Sequence, residues 1–529
     1  MNARRLLLQV AALATAAASS LAASPATAEP PSPGPERVSP GPQRVSAGPQ
    51  RVAPGPERVS AGPQRVAAAP QRVAPGPSGP QTAPGAQPAV PPAAPAAPAT
   101  LAALGGPTVV ATAAAPGALA AAPGPLAAAV LTVPATATTT TVAATATTIA
   151  ATSTPVPWRA LVLGGGPKAP MNQVAIEGHV RYFQTLLPDA IERRVLFADG
   201  NRFTPTVQYL EGDRLFYRPT RLQRIDGPTT LAGVDRLWRG FVTARPSDPL
   251  LLYFAGHGSP DRGRDLDNNV FDLWGGGGLS VRDLAARIEQ LPPSTPVVLV
   301  MAQCFSGAFA NVLFEGGDPE ADPVDRDLVG FFAATRDRPA SGCTPEINEA
   351  DYTDFSSYFF AALSGQDRLG RAVDDADFDG DKQVGMHEAY AYAVIHQATS
   401  DVPIATSDVF LRRFVPTPDR ETMTTPYSKV LAWARPAERA ALEALAKELG
   451  LRGEDRMRTA YALQFGPGSE RVDWDDVEAA HRLRFIRLAK TVVLAHTLRE
   501  TGDPALVARF DRLRAAESRN PLVEARPAP

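Results

Sequence analysis

"VVLVMAQCFSGAFA", residues 297–310, decides how the rest of the chain is read. Five apolar residues, Val297 to Met301, lead into Ala302, Gln303 and Cys304, and small residues follow. Such a run is a buried strand. The sequence holds only two cysteines, Cys304 and Cys343, so a thiol at the end of that strand calls for a reason. A second apolar run, "PLLLYFAGHG" at 249–258, ends the same way on His257, flanked by Gly256 and Gly258.

Around these two runs the pattern is regular. "WRALVLGGG" (158–166), "RRVLFADG" (193–200) and "DLVGFFAATR" (327–336) also read as strands. Helical spacing separates them in "NQVAIEGHVRYFQTLL", "TTLAGVDRLWRGFV" and "LSVRDLAARIEQL". "NNVFDLWGGGGLS" reads as a hairpin in the third connection. Near-continuous apolar strands alternating with helices predict an α/β fold, a mostly parallel sheet covered on both faces. In such sheets ligands bind beyond the carboxyl ends of the strands. His257 and Cys304 then share one rim if their strands are neighbours. A thiol, an imidazole and glycine-freed backbone N–H groups are the parts of thiol catalysis. Taken one at a time, each has a plainer reading: a cysteine at a strand end is a core residue, and a lone histidine a hydrogen-bonder.

"LLLYFAGHG" and "VVLVMAQCFSGAF" resemble the His and Cys motifs of the caspase-like cysteine peptidases, the group of caspases, metacaspases and legumains, closest to bacterial caspase-like or legumain-like proteins. "LVLGGGPKAPMNQVAIEG" and the stretch from Phe331 to Gly365 add to the likeness, which covers about 159–415. The resemblance implies a caspase-like sheet and a cysteine-type endopeptidase. It makes Cys304 the nucleophile, His257 the general acid/base, and the N–H groups of Gly258 and Cys304 the oxyanion donors. No cofactor would be needed for the chemistry. Two departures matter. Caspases read Gln-Ala-Cys where this chain has Ala302-Gln303-Cys304, and metacaspases place an Asp where Ala302 stands. The residue preferred before the scissile bond therefore does not carry over. A Cys304–Cys343 disulfide is a rival reading, as is Cys343 lining the substrate cleft. The acidic connection 313–327 is expected to be mobile, and is either an ordinary loop or a processing site.

The N-terminus reads as an export signal over 1–28, with Arg4, Arg5, an apolar run and Ala26-Thr27-Ala28 before the cleavage point. Both the general and the twin-arginine routes stay open. Residues 29–157 form a Pro/Ala/Thr-rich segment in which a seven-residue unit recurs six times between 33 and 74. Proline in each copy forbids a coiled coil and favours extended polyproline II. One Arg per copy makes the segment mildly cationic, able to touch an anionic envelope or cell surface, or else a solvated spacer. The protein is expected to be exported: periplasmic, surface-bound or secreted, without a transmembrane helix in the mature chain. A net charge of -3 speaks against nucleic acid as a partner.

"DFDGDKQVGMHE" (377–388) sets Asp377, Asp379, Asp381, Gln383 and Glu388 at the ligand positions of an EF-hand-like loop. Lys382 stands where glycine is usual, so calcium binding there would be weak and structural. An acidic helix start explains the same residues. Residues 158–415 are thus expected to be the peptidase domain and 416–529 a helical region that packs on it or binds a partner. A reading of another class stays open: a non-catalytic envelope or surface binding protein on the same scaffold.

Overall fold

A computed structural model describes residues 156–346, 354–467 and 474–526. The signal, the repeats and the Thr/Ala segment lie outside the described residues. The chain begins with β1 (Arg159–Gly165), α1 (Val174–Leu186) and β2 (Glu192–Phe197), then a hairpin of β3 (Val207–Glu211) and β4 (Arg214–Arg218). Next come α2 (Leu231–Leu237), β5 (Leu250–Gly256), β6 (Gly258–Ser259), β7 (Val270–Leu273), β8 (Gly277–Ser280), α3 (Val281–Ile288), β9 (Val297–Met301) and β10 (Leu328–Phe332). After these follow α4 (Phe355–Ser364), α5 (Met386–His396), β11 (Ile404–Ala405) and α6 (Thr406–Phe414). The remainder is helical: α7 (Asp419–Thr422), α8 (Tyr427–Trp433), α9 (Pro436–Glu448), α10 (Arg456–Phe465), α11 (Val477–Thr501), α12 (Pro504–Glu517) and α13 (Pro521–Glu524).

Six strands form one sheet in the order β11-β10-β9-β5-β1-β2. All pairings are parallel except β10 with β11 at the edge. The near-continuous apolar runs follow from helices on both faces. Ala160, Val162, Leu251, Tyr253, Val298, Val300, Val329 and Phe331 pack against α1, α4 and α12. Leu161, Leu163, Leu252, Phe254, Leu299, Met301 and Phe332 pack against α2 and α3. Alternate residues of one strand thus enter opposite cores, as a period of two requires. Truncating a wholly buried ring such as Phe331 to Ala would cost about 3–5 kcal/mol.

The helices begin where their side chains can cap them. Thr230 accepts from Gly233 N at α2, Ser280 and Asp283 form a capping box at α3, and Asp354 caps α4. Helix α2 runs directly into a wider turn over Trp238–Val242, closed by Thr243 N to the Trp238 carbonyl. The connection after β9 is not loose. Glu315 N donates to Asp322 O, and Val324 N to Leu313 O, folding it back on itself.

The C-terminal helices pack on the sheet domain. Helix α5 joins the two: Ala389 and Ala393 enter the sheet core, while Ala391 and Val394 enter a third core with Val430, Leu442, Leu445, Met457, Phe485 and Val492. At the far end, Glu524 accepts from Trp158 Nε1 at 3.0 Å, and its carbonyl accepts from Val156 N. Among the described residues, no helix is long and apolar enough to cross a membrane.

Candidate active site

Strands β5 and β9 are parallel neighbours, with Phe254 opposite Met301. Their carboxyl ends therefore bring His257 and Cys304 to one rim, at the middle of the sheet. The two turns pack without a gap. A Cβ built on Gly258 would stand 2.2 Å from the Cys304 carbonyl oxygen, so only glycine lets these two peptide groups adjoin. The chain swings away sharply after Cys304. Phe305 takes a left-handed φ of 59°, held by its N–H on the Arg338 carbonyl at 2.8 Å. Left-handed backbone at a bulky residue costs on the order of 1–2 kcal/mol.

His257 is anchored from the β1–α1 turn. Its Nε2 lies 2.9 Å from Gln173 Oε1, and the Met171 carbonyl also reaches the ring. Gln173 is placed by its neighbour Asn172, which is wholly buried. Asn172 accepts from Gly166 N, donates to Thr206 O, and offers its carbonyl to Gln208 N on β3. The β3–β4 hairpin therefore braces the turn that holds the imidazole. Burial lowers the His257 pKa, while the Met171 carbonyl and Asp272 oppose that shift. Asp272 is itself pushed up by burial and is held by Ser259 Oγ at 2.9 and 2.7 Å.

Cys304 faces a strap running from Arg338 to Pro345. The Ala340 N–H donates to the sulfur at 3.2 Å, and the thiol faces the Ala340 carbonyl at 3.5 Å. Burial raises the Cys304 pKa, the Ala340 backbone lowers it, and Asp401 raises it further. Both directions favour the neutral forms, a thiol and an uncharged imidazole, near neutral pH. The strap continues past Asp401, whose Oδ1 accepts from Ser341 N at 2.6 Å. It turns at Gly342 (φ 112°) against His179 and Asp354, whose side chains meet, buried, at 2.9 Å. It then reaches Cys343, whose thiol donates to the Gly256 carbonyl at 3.5 Å. Thr344 O and Pro345 O finally accept from Ala175 N and Leu210 N. Both cysteines are free thiols. Burial and the nearby Cys304 push the Cys343 pKa well up.

The residues of the calcium-type loop do not all gather at one point. The carboxylates of Asp377, Asp379 and Asp381 come within 4.8 Å of one another. Lys382 takes a left-handed φ of 71°, the conformation glycine would adopt without strain. Glu388 is buried and already accepts from Phe378, Asp379 and Gly385 N–H groups. Its fit as a bidentate ligand is correspondingly poor, and the three aspartates likewise accept backbone N–H groups of the loop. Gln383 N donates to Asp381 Oδ1.

No protein-family model and no curated protein matches the sequence. Solved structures do. A protein from Geobacter sulfurreducens is 13% identical, covers 47% of this chain and 92% of its own, with a TM-score of 0.28. The Drosophila initiator caspase Dronc is 9% identical over 40% of this chain and 66% of its own, with a TM-score of 0.22. A secreted C11 cysteine protease from Bacteroides thetaiotaomicron, solved with an irreversible peptide inhibitor, is 11% identical over 51% of this chain and 71% of its own, with a TM-score of 0.25.

Sequence reasoning did not single out Gln173, Ala340, Ser341 or Asp401. A β-hairpin signal was available in "VQYLEGDRLFYR", where Gly212 takes a positive φ between alternating apolar residues. The strap carried no motif.

Proposed function

We propose that the protein is a cysteine endopeptidase working through Cys304 and His257. The observation that carries this reading is the pairing of β5 with β9, which sets an anchored imidazole and a thiol on adjacent strand ends. In the tautomer that donates from Nε2 to Gln173 Oε1, Nδ1 keeps its lone pair. With a peptide bound, Nδ1 takes the thiol proton as the sulfur attacks the carbonyl carbon. The C–N bond breaks, His257 returns the proton to the leaving amine, and a thioester remains. Water, deprotonated by His257, then hydrolyses the thioester and regenerates the thiol. Backbone N–H groups of Gly258 and Cys304 would hold the oxyanion.

The partner is a peptide or protein substrate. Export, envelope contact through the N-terminal repeats, and weak structural calcium at Asp377, Asp379 and Asp381 belong to the same proposal. The test is peptide-library cleavage by the full chain beside Cys304→Ala. Loss of all cleavage is expected. Cleavage that survives the substitution would refute the assignment. No cleavage by the parent chain, together with an iodoacetamide-inert Cys304, would favour a binding protein.

A further inference from the structure

We infer that the C-terminal helical region is part of the active site: Arg484 of α11, acting through Asp401, positions the strap whose amide holds the Cys304 sulfur. The inference rests on the peptidase reading for its functional meaning, but its contacts stand without it.

The contacts form one unbroken series. Arg484 is 2% exposed, although guanidinium groups rarely leave water. Its Nε, Nη1 and Nη2 donate to the carbonyls of Asp401, Gln397 and Thr399 at 2.7, 2.8 and 2.5 Å. Three carbonyls of one short loop on one planar fork fix that loop's shape, since the fork's directions are rigid. The loop joins α5 to β11 and contains Asp401, wholly buried. Asp401 Oδ1 takes the Ser341 N–H at 2.6 Å. The preceding N–H of the strap, on Ala340, reaches the Cys304 sulfur at 3.2 Å. Arg338, two residues earlier in the strap, donates from Nη2 to Trp474 O of the C-terminal region at 3.3 Å. The strap is therefore tied to the helical region at both ends of its approach to Cys304.

A buried carboxylate beside a thiol that must ionise is electrostatically unfavourable, since it raises the thiol's pKa. Hydrophobic packing would be cheaper if the loop served only to fill space. The arrangement makes sense if the gain is placement of the Ala340 N–H. That amide favours the thiolate over the thiol, and misplacing it would raise the barrier to deprotonation. Arg484 and Asp401 are positioning residues in this account, since neither touches the sulfur.

The test uses Arg484→Lys in the full chain. Lysine keeps the charge, so long-range electrostatics are matched, but one ammonium cannot span three carbonyls in the fork geometry. Two quantities are read: kcat on a cleaved peptide, and the pH midpoint for iodoacetamide labelling of Cys304. A folded variant should lose roughly 10- to 100-fold in kcat, and its labelling midpoint should move to higher pH. Unchanged kcat and midpoint would overturn the inference. If Arg484→Lys does not fold, Asp401→Ala is compared with Asp401→Asn, which are equal in charge. Asn keeps an acceptor for Ser341, so only Ala should slow turnover and raise the midpoint relative to Asn. Equal behaviour of the two would overturn it. Labelling reads the thiol whether or not the chain cleaves peptides, so a failed peptidase reading leaves this outcome legible.

Discussion

Gln173 Oε1 lies 2.9 Å from His257 Nε2, reaching across from the turn after β1 to the end of β5. In the tautomer that donates from Nε2, this contact leaves Nδ1 ready to accept. Gln173→Ala should lower kcat roughly 10- to 100-fold with little change in KM, because proton transfer rather than binding is impaired. Gln173→Glu sets a carboxylate beside the ring, which favours imidazolium and should move the acid limb of the pH–rate profile upward. Steady-state kinetics from pH 5 to 8 decide it. Wild-type kcat in the Ala variant would mean that the Met171 carbonyl fixes the ring unaided.

The resting pair sets the pH dependence. Burial lowers the His257 pKa below its ordinary 6.5 and raises that of Cys304 above 9.0. As pH falls through the His257 value, the imidazole takes a proton and can no longer act as base. kcat/KM should therefore hold level at neutral pH and drop on an acid limb below 6.5. Labelling of the unliganded thiol should still be climbing above pH 9. An acid limb above pH 7 would instead indicate a thiolate–imidazolium pair.

Asp401 should make the fold less stable as pH rises. Burial pushes its carboxyl up to about 6, against the Ser341 amide and Arg484. An unfolded Asp ionises near pH 3.9. Between those values the folded state binds the extra proton, so stability falls from about pH 4 to about 6 and stays reduced above. Asp401→Asn removes the buried charge and keeps an acceptor. It should raise the melting midpoint by a few degrees at pH 7.5, on the order of 1–3 kcal/mol, and change little at pH 4. A variant that melts lower at pH 7.5 would show that the carboxylate's charge is stabilising.

Calcium should act weakly and on stability. Asp377, Asp379 and Asp381 repel one another when no cation is present, and Lys382 opposes one. Millimolar calcium should raise the melting midpoint relative to chelator, by mass action. Asp379→Ala should abolish the shift. A midpoint that ignores calcium would leave the loop as the start of α5, with Glu388 as its cap.

Much of this was legible in the sequence, for identifiable reasons. Strands buried on both faces are continuous apolar runs, so β1, β5, β9 and β10 stood out, and His257 and Cys304 with them. The edge strand β11 has only two residues, Ile404 and Ala405, too few to show a period. The supports of the site were hidden because they act through backbone groups. Ala340 and Ser341 matter for their N–H, which every residue but proline possesses. Arg484 looked like one of many helical arginines, and only its burial against three carbonyls marks it out. The connection 313–327 read as loose from its glycines and acids, but local turns and Arg509 on the Val324 carbonyl close it.

The clasp of Trp158 by Glu524 spans 366 residues and joins the first strand of the sheet to the last helix of the chain. During synthesis, β1 emerges long before α13 exists to cover its entry. Phe510 and Leu513 of α12, part of the core beneath the sheet, also arrive late. Long-range contacts of this kind slow folding. Closing the entry to β1 must wait until residues 366 apart in sequence have met.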